Sequence, residues 1–157
     1  MSVRECGLGR GLFADRTYHA GEEILRFEGR TIPGSVVAQM GDDECYMIQI
    51  GSDLYLEPQA PGRFTNHSCA PNAVIQDDIR LVALHDIACD EQICFDYSTT
   101  MSENKWTMQC RCGSANCRGE IRDFHELPLE LQQRYLQMNA VQRFIAEEAQ
   151  ASQKKIA

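Results

Sequence analysis

The sequence predicts a single, mainly β domain that ends in a helical segment. Through the first hundred residues, short runs of β-branched, aromatic and aliphatic residues alternate with Gly, Pro and Asp. From Leu127 onwards the apolar residues recur at helical spacing instead. A chain of 157 residues suits one domain with a usable core and a small appendage, and 43% hydrophobic with 24% charged residues is the composition of a globular protein.

The predicted strands are short and are bounded by turn residues. They are Gly11–Ala14, Glu23–Glu28, Tyr46–Ile50, Leu54–Leu56, Ala73–Gln76, Arg80–Leu84 and Gln92–Tyr97. Residues 34–43 leave room for one short helix, from Val36 to Met40. The segment Pro58–Gly62 is predicted to be a loop, because proline cannot donate to the ladder of a central strand.

The C-terminal segment is predicted to be helical. Its apolar stripe consists of Leu127, Leu131, Tyr135 and Met138 and, after a break near Asn139, of Val141, Phe144, Ile145 and Ala149. Pro128 suits a first helical turn. Such a helix either packs on the core of the sheets or covers a site as a lid or partner-binding element, and residues 151–157 are expected to fray.

Composition and charge exclude several classes of protein. No run of eighteen apolar residues predicts a transmembrane helix, and the first residues lack the apolar core of a secretory signal, so we expect an intracellular protein, cytoplasmic or nuclear. A net charge of −8 argues against direct binding of nucleic acid, whose phosphates are neutralised by Lys and Arg. The same charge is compatible with a basic partner such as a Lys-rich peptide, although it also simply keeps a protein soluble. The sequence does not indicate an oligomeric state.

Three of the eight cysteines are crowded into the motif Cys110-x-Cys112-x4-Cys117. Zn²⁺ prefers four ligands in a tetrahedron, and closed thiolate sites are structural. Without a secretory signal to favour disulfides, the motif therefore predicts a structural zinc site. A fourth ligand must come from elsewhere, and chemistry alone leaves five candidates: Cys6, Cys45, Cys69, Cys89 and Cys94.

A second dense motif, Arg63-Phe64-Thr65-Asn66-His67-Ser68-Cys69-Ala70-Pro71-Asn72, precedes Phe95-Asp96-Tyr97 by fewer than thirty residues. Asn66 and His67 offer directional polar contacts, and Tyr97 offers a phenol. A hydrolase is disfavoured, because neither a Gly-x-Ser-x-Gly elbow nor a supporting third group accompanies the histidine. A metal-binding His-Cys pair within this motif is a further alternative.

These motifs, in this order, resemble the SET domain with its post-SET cysteines, a family of protein-lysine methyltransferases that use S-adenosylmethionine. Gly9–Ala14 is similar to the family's N-terminal cofactor motif, and Arg63–Asn72 to its Asn-His-Ser-Cys block. Asp90–Tyr97 resembles the closing strand, with Asp90 and Gln92 where Gly and Glu are commoner, and the segment from Cys110 to Gly119 resembles the zinc-binding tail. The resemblance spans residues 7–119.

The resemblance implies a SET-domain fold of small β-sheets with a pseudoknot, of the β-clip type, in which the Asn-His and Tyr97 segments lie side by side. Residues 1–100 would form the SET domain, with a short insert at about residues 33–56. Residues 101–119 would form the post-SET zinc-binding segment, and residues 120–157 a C-terminal helical extension.

The resemblance also implies roles for individual residues. The residues that would bind the cofactor are Leu8, Gly9, Arg10, Gly11, Tyr46, Asn66 and His67. The zinc ligands would be Cys69, Cys110, Cys112 and Cys117. Tyr97 would be the catalytic tyrosine, and Phe95 occupies the position that sets how many methyl groups fit. Trp106 would either roof the cofactor or pack against the zinc-binding segment.

The function implied by the resemblance is methyl transfer from S-adenosylmethionine to a lysine amine of a protein or peptide, histone or non-histone, beyond monomethylation. A free lysine has a pKa near 10.4, so about one in 2,500 is neutral at pH 7. A desolvated channel lined by Phe95, Tyr97 and Tyr46 would favour the neutral amine that the reaction needs. The alternatives are a catalytically silent, zinc-stabilised peptide-binding module and a methyltransferase for a non-lysine amine.

Overall fold

A computed structural model describes residues 1–154, apart from the side chains of residues 42–44, 153 and 154. The strands in this part of the chain are β1 (Ser2–Cys6), β2 (Gly9–Phe13), β3 (Glu23–Arg26), β4 (Gly29–Pro33), β5 (Ile48–Gly51), β6 (Leu54–Pro58), β7 (Asn66–His67), β8 (Ala73–Gln76), β9 (Arg80–Ala83), β10 (Gln92–Phe95), β11 (Met108–Gln109) and β12 (Glu120–Ile121). The helices are α1 (Gly34–Val37), α2 (Leu129–Gln137) and α3 (Arg143–Lys154), and 3₁₀ turns cover Gly41–Tyr46, Gly62–Phe64, Tyr97–Thr100 and Phe124–Glu126. None of the helices within residues 1–154 is long and apolar enough to cross a membrane.

The first sheet, in the order β1-β2-β10-β7, brings the two dense motifs together. β1 and β2 form a hairpin whose tip is closed by Gly9, with a φ of 97° that favours glycine. β10 pairs antiparallel with β2 and parallel with β7, so that Phe95 lies opposite His67. The predicted adjacency of the Asn-His and Tyr97 segments is therefore confirmed.

The sheet in the order β3-β9-β8 has an apolar layer on each face. Ile75 and Leu81 point into the central core, together with Leu12, Ile93 and Phe95 from the first sheet. Val74 and Val82 belong instead to a second cluster formed with α2 and α3. Both faces of these strands are covered, which explains their nearly continuous apolar sequence.

The C-terminal segment is helical as predicted, and the break near Asn139 is real. Asn139 has a φ of 51°, in the left-handed region, between the end of α2 and the start of α3. Tyr135 and Ile145 are buried with Val74 and Val82, so the two helices pack on the sheet core. Residues 151–154 continue α3 where fraying was expected, and residues 155–157 lie outside the described part of the chain.

Several predicted boundaries were wrong for local reasons. The sequence did not indicate β1 or β4, because their residues are polar or Gly- and Pro-containing and are held mainly by pairing with β2 and β6. β6 extends to Pro58, which was predicted to be loop. Pro58 pairs with Gly29 of β4 but lies beyond Leu56, the last residue of β6 that pairs with β5. Its missing N–H therefore costs no ladder bond. The short helix begins at Gly34 and ends at Val37, earlier than predicted.

The remaining two sheets frame the site. The sheet in the order β4-β6-β5 carries α1 at one end, in the region predicted as the short insert. β11 and β12 pair antiparallel on either side of the cysteine-rich segment, with Gln109 opposite Glu120. This ribbon closes residues 110–119 into a loop beside the first sheet.

Candidate active site

Two cavities adjoin at Tyr97. The larger, of about 740 Å³, is bounded by the β1–β2 hairpin, by the Asn-His segment and by Met108–Cys112. The smaller is a channel of about 40 Å³ with mainly aromatic and aliphatic walls. The residues that line both are Cys45, Tyr46, Arg63 and Tyr97. A ligand in the larger cavity and a side chain in the channel would therefore meet beside Tyr97.

The larger cavity contains most of the predicted cofactor-binding residues. Those on its wall are Leu8, Gly9, Arg10, Tyr46, Asn66 and His67. The Asn66 side-chain amide donates to the Arg10 carbonyl oxygen at 2.9 Å, which ties β7 to the hairpin. The guanidinium of Arg10 lies 4.1 Å from the centre of the Phe64 ring, and that of Arg63 lies 4.1 Å from the centre of the Tyr46 ring. A volume of this size is within the range of small-molecule sites.

Gly11 does not line this cavity, but it leaves the space in which the side chain of Asn66, a residue of the cavity wall, is oriented. A Cβ at this position would overlap the Gln92 side-chain amide and would lie 3.1 Å from the Asn66 amide nitrogen. These two amide groups converge above Gly11 and both donate towards the Cys6 sulfur, at 3.7 Å from Asn66 and 3.8 Å from Gln92. A side chain at residue 11 would displace the Gln92 amide and crowd the Asn66 amide, and would so disturb the arrangement that orients Asn66.

The channel is built around Tyr97. Its hydroxyl donates to the Thr65 carbonyl oxygen at 2.9 Å, and its ring centre lies 4.9 Å from that of Phe95. Trp106 lies 6.5 Å from Tyr97 between ring centres and lines the channel, not the larger cavity. Burial raises the pKa of Tyr97 above its ordinary value, so the phenol stays protonated at neutral pH.

The carboxylate of Glu103 also borders the channel. Glu103 accepts a hydrogen bond of 2.6 Å from the hydroxyl of Tyr55, and both residues lie on the channel wall. No local sequence pattern indicates this pair, because Tyr55 comes from β6 and Glu103 from the segment before β11. The channel therefore has aromatic walls that include Phe95, Tyr97 and Trp106, together with the charged side chains of Arg63 and Glu103.

His67 is buried and links the two motifs. Burial lowers its pKa to about 4, although nearby Asp96 acts in the opposite direction, so the ring is neutral at pH 7. The Tyr97 backbone N–H donates to Nδ1 at 3.2 Å, which leaves the ring proton on Nε2. Nε2 lies 3.3 Å from the Cys69 sulfur and can donate to a thiolate there.

A thiol cluster lies next to this histidine. Single ligand atoms of His67, Cys69, Cys110 and Cys112 all lie within 4.8 Å of one another. The Cys69 and Cys110 sulfurs are 3.8 Å apart, and Zn–S bonds of about 2.3 Å in a tetrahedron place sulfurs about 3.8 Å apart. Cys117 is outside this group, with its sulfur 4.0 Å from the Cys110 carbonyl oxygen. The donor set and its spacing fit a zinc ion.

A buried carboxylate behind Tyr97 was missed by the sequence analysis. The Asp96 side chain is 0% exposed and accepts two hydrogen bonds from the Arg118 guanidinium, at 2.6 and 2.7 Å. It also accepts from the Tyr135 hydroxyl at 3.0 Å and from the Ser98 backbone N–H at 3.2 Å. The sequence contains two signals for this ion pair. Asp96 lies between Phe95 and Tyr97, and Arg118 directly follows Cys117.

Comparisons with known proteins agree with this geometry. A family model described as the SET domain matches residues 9–98. The chain is 30% identical over 126 residues to the histone-lysine N-methyltransferase trithorax of Drosophila virilis, which covers 70% of this chain but 3% of that protein. It is 31% identical over 130 residues to a histone-lysine N-methyltransferase, H3 lysine-4 specific, of Emericella nidulans, covering 69% of this chain and 10% of that protein.

Among solved structures, the fold is similar to Arabidopsis thaliana SUVH6 in complex with SAM. The TM-score is 0.63 at 21% sequence identity, and the match covers 76% of this chain and 32% of that one. The chain thus spans a small part of the relatives it matches, and the structural likeness concerns the fold.

Proposed function

Since this chain belongs to the SET-domain family, we propose that it is an S-adenosylmethionine-dependent protein-lysine N-methyltransferase. The observation that carries the proposal is the position of Tyr97 in the common wall of a ligand-sized cavity and a narrow aromatic channel. A methyl donor in the one and an amine in the other would approach each other at this residue. The two relatives named as histone-lysine N-methyltransferases support the same activity.

The larger cavity is the proposed site for S-adenosylmethionine, which supplies an electrophilic methyl group when bound. Leu8, Gly9 and Arg10 would contact it from the hairpin, and Asn66 and His67 from β7, while Tyr46 closes the side towards the channel. Gly11 acts indirectly, by leaving the space in which Asn66 is oriented.

The channel is the proposed site for the lysine side chain. Its aromatic surface disfavours the ammonium, which lowers the amine's pKa and supplies the lone pair for attack. A carboxylate next to the amine would have the opposite effect, so we place the reacting nitrogen at the Tyr97 end and not beside Glu103. The Tyr97 hydroxyl oxygen, fixed by its hydrogen bond to Thr65, would orient the reacting groups.

Phe95 supports a product with more than one methyl group. Its ring packs 4.9 Å from that of Tyr97 and carries no hydroxyl to occupy space or hold the amine. The substrate we propose is a lysine-containing, basic protein or peptide, in keeping with the net charge of −8 and with the histone-lysine methyltransferases among the relatives.

We also propose a structural zinc ion held by Cys69, Cys110, Cys112 and Cys117. His67 is adjacent to the cluster, but its Nδ1 accepts from Tyr97 and its protonated Nε2 faces the Cys69 sulfur. It therefore suits a hydrogen bond to a thiolate ligand better than a bond to the metal. Cys117 lies in the same short loop as Cys110, with its sulfur 4.0 Å from the Cys110 carbonyl oxygen, and is the fourth ligand we propose.

Tyr97→Phe tests the activity. The purified protein is incubated with labelled S-adenosylmethionine and either basic proteins, lysine peptides or free amines, and products are identified by mass spectrometry. We expect transfer to lysine by the parent protein and a loss of about 100-fold in rate for Tyr97→Phe, since the reacting groups lose an orienting contact. Tyr18→Phe is the matched control, because Tyr18 is 3% exposed and its hydroxyl has no hydrogen bond among the described residues.

The outcomes separate the alternatives. Transfer to free amines but not to lysine peptides would indicate a different acceptor. Failure of the parent protein to bind S-adenosylmethionine or transfer a methyl group would contradict the proposal and favour a silent binding module. Undiminished transfer by Tyr97→Phe would remove Tyr97 from the catalytic role.

A further inference from the structure

We infer that Tyr135, from the helical segment beyond the matched domain, is a positioning residue for Tyr97 and acts through the buried carboxylate of Asp96. The inference rests on the proposed function for its catalytic consequence. The structural part of the inference is that Asp96 fixes the turn that begins at Tyr97, and this part depends only on the contacts of Asp96.

Asp96 caps the 3₁₀ turn that presents Tyr97. Its Oδ1 accepts from the Ser98 N–H at 3.2 Å, and its carbonyl oxygen accepts from the Thr99 N–H at 3.0 Å and from the Thr99 hydroxyl at 2.7 Å. The turn comprises Tyr97–Thr100, so the orientation of Asp96 fixes the backbone from which the Tyr97 ring projects. A rotation of this carboxylate would loosen the first bond of the turn.

Two anchors of different origin hold the carboxylate. Arg118 binds both oxygens, but its own backbone N–H donates to the Cys69 sulfur at 3.4 Å, so it belongs to the cysteine-rich loop. Arg118 and Asp96 could shift together with that loop. The Tyr135 hydroxyl donates to Oδ2 at 3.0 Å from α2, which is not part of the cysteine-rich loop, and would therefore oppose such a shift.

Tyr135 is suited to hold the Asp96 carboxylate in place. Its ring is 3% exposed and packs in the apolar cluster with Val74, Val82 and Phe124, so the side chain has little freedom to move. A phenylalanine would fill the same space, and the hydroxyl is therefore the part of Tyr135 that packing does not require. A buried tyrosine hydroxyl ordinarily has a hydrogen-bond partner, and here that partner is the carboxylate of Asp96, next to Tyr97.

The test compares Tyr135→Phe with Tyr18→Phe, another buried tyrosine, whose hydroxyl makes no hydrogen bond among the described residues. Tyr135→Phe is expected to lower kcat by about tenfold while the KM for peptide and the Kd for S-adenosylmethionine change less than about twofold, since a small displacement of a reacting group costs rate more than binding. Hydrogen exchange of the amides of residues 97–99 should accelerate by about tenfold, because loss of one hydrogen bond to a charged group loosens the turn. Tyr18→Phe should leave all of these quantities unchanged.

Each outcome decides the inference. An unchanged kcat, or an unchanged exchange rate at residues 97–99, would overturn it. A uniform acceleration of exchange across the domain would also overturn it, since that result means general destabilisation. If the parent protein transfers no methyl group, the proposed function fails, and the exchange rates alone decide whether Tyr135 positions the turn of Tyr97.

Discussion

Individual residues of the site are oriented by hydrogen bonds to neighbouring residues. Asn66 is held by its bonds to the Arg10 carbonyl and the Cys6 sulfur, and the space for this arrangement exists only because residue 11 is glycine. In the same way, the tautomer of His67 is set by the Tyr97 N–H. Small changes at such positions are therefore expected to alter binding without altering the fold.

Gly11→Ala is predicted to weaken the binding of S-adenosylmethionine. The added methyl group would displace the Gln92 and Asn66 amides, and loss of one oriented polar contact corresponds to about a tenfold rise in Kd, measured by calorimetry. Gly7→Ala, in the same hairpin, is the control, because a Cβ there meets nothing within 4 Å. Equal affinities for the two variants would argue against the role assigned to Gly11.

Cys117→Ser is predicted to lose the metal. The parent protein should hold about one equivalent of zinc by elemental analysis, since four thiolates complete a closed site, and the variant should hold much less. Cys89→Ser should retain it, because Cys89, unlike Cys117, is not part of the cysteine-rich loop of residues 110–119 that carries Cys110 and Cys112. Retention of zinc by Cys117→Ser together with its loss from His67→Gln would instead identify the histidine as the fourth ligand.

At the scale of secondary-structure elements, the C-terminal helices depend on a sharp change of direction. α2 and α3 can both bury residues against Val74 and Val82 only because the chain turns between them at Asn139, whose φ is 51°. Asparagine tolerates this conformation, whereas a β-branched residue does not. Because the chain turns at this asparagine, the apolar stripe in the sequence is interrupted near Asn139.

Asn139→Val is predicted to destabilise the protein and Asn139→Gly is not. A left-handed conformation costs a β-branched residue about 1–2 kcal/mol, which should appear in the free energy of unfolding measured in urea with zinc present. Glycine adopts this conformation readily, so its free energy of unfolding should stay within about 0.5 kcal/mol of the parent. Equal stabilities of the two variants would show that residue 139 adopts another conformation in solution.

At the scale of the whole molecule, the cysteine-rich loop forms part of the proposed cofactor cavity as well as of the proposed metal site. Cys110 and Cys112 line the large cavity, and Cys69 follows the Asn-His segment by only two residues. The ribbon of β11 and β12 holds the loop from one side, but that ribbon pairs only two residues on each strand. The proposed zinc ion would therefore add order to residues 110–119, beside the contacts that Asn116 and Arg118 make with Cys69 and Asp96.

Removal of zinc is predicted to weaken S-adenosylmethionine binding before it unfolds the sheets. After treatment with a chelator, the Kd should rise by about tenfold or more, because a wall of the cavity loses its order, while far-UV circular dichroism stays near that of the parent. Readdition of zinc should restore the affinity. Unchanged affinity in the metal-free protein would show that the cavity wall does not need the metal.

The sequence predicted the elements with a strong local pattern. Ala73–Gln76 is a strand with the predicted bounds, and the two C-terminal helices carry the predicted apolar stripe. The adjacency of His67 and Phe95 came from resemblance to a family, because parallel pairing between distant segments leaves no local pattern. The links from Asp96 to Arg118 and Tyr135, and the position of Trp106 in the channel, depend on packing between segments far apart in sequence, so they required the structure.

The common wall at Tyr97 has a kinetic consequence. If the proposed function holds, the spent donor occupies one cavity and the methylated lysine another, so the two products need not leave by the same route. The donor can then be exchanged while the peptide stays bound, so successive turnovers on one lysine need not be separated by dissociation. The enzyme would be processive, and highly methylated product would accumulate while most of the substrate is still unmodified.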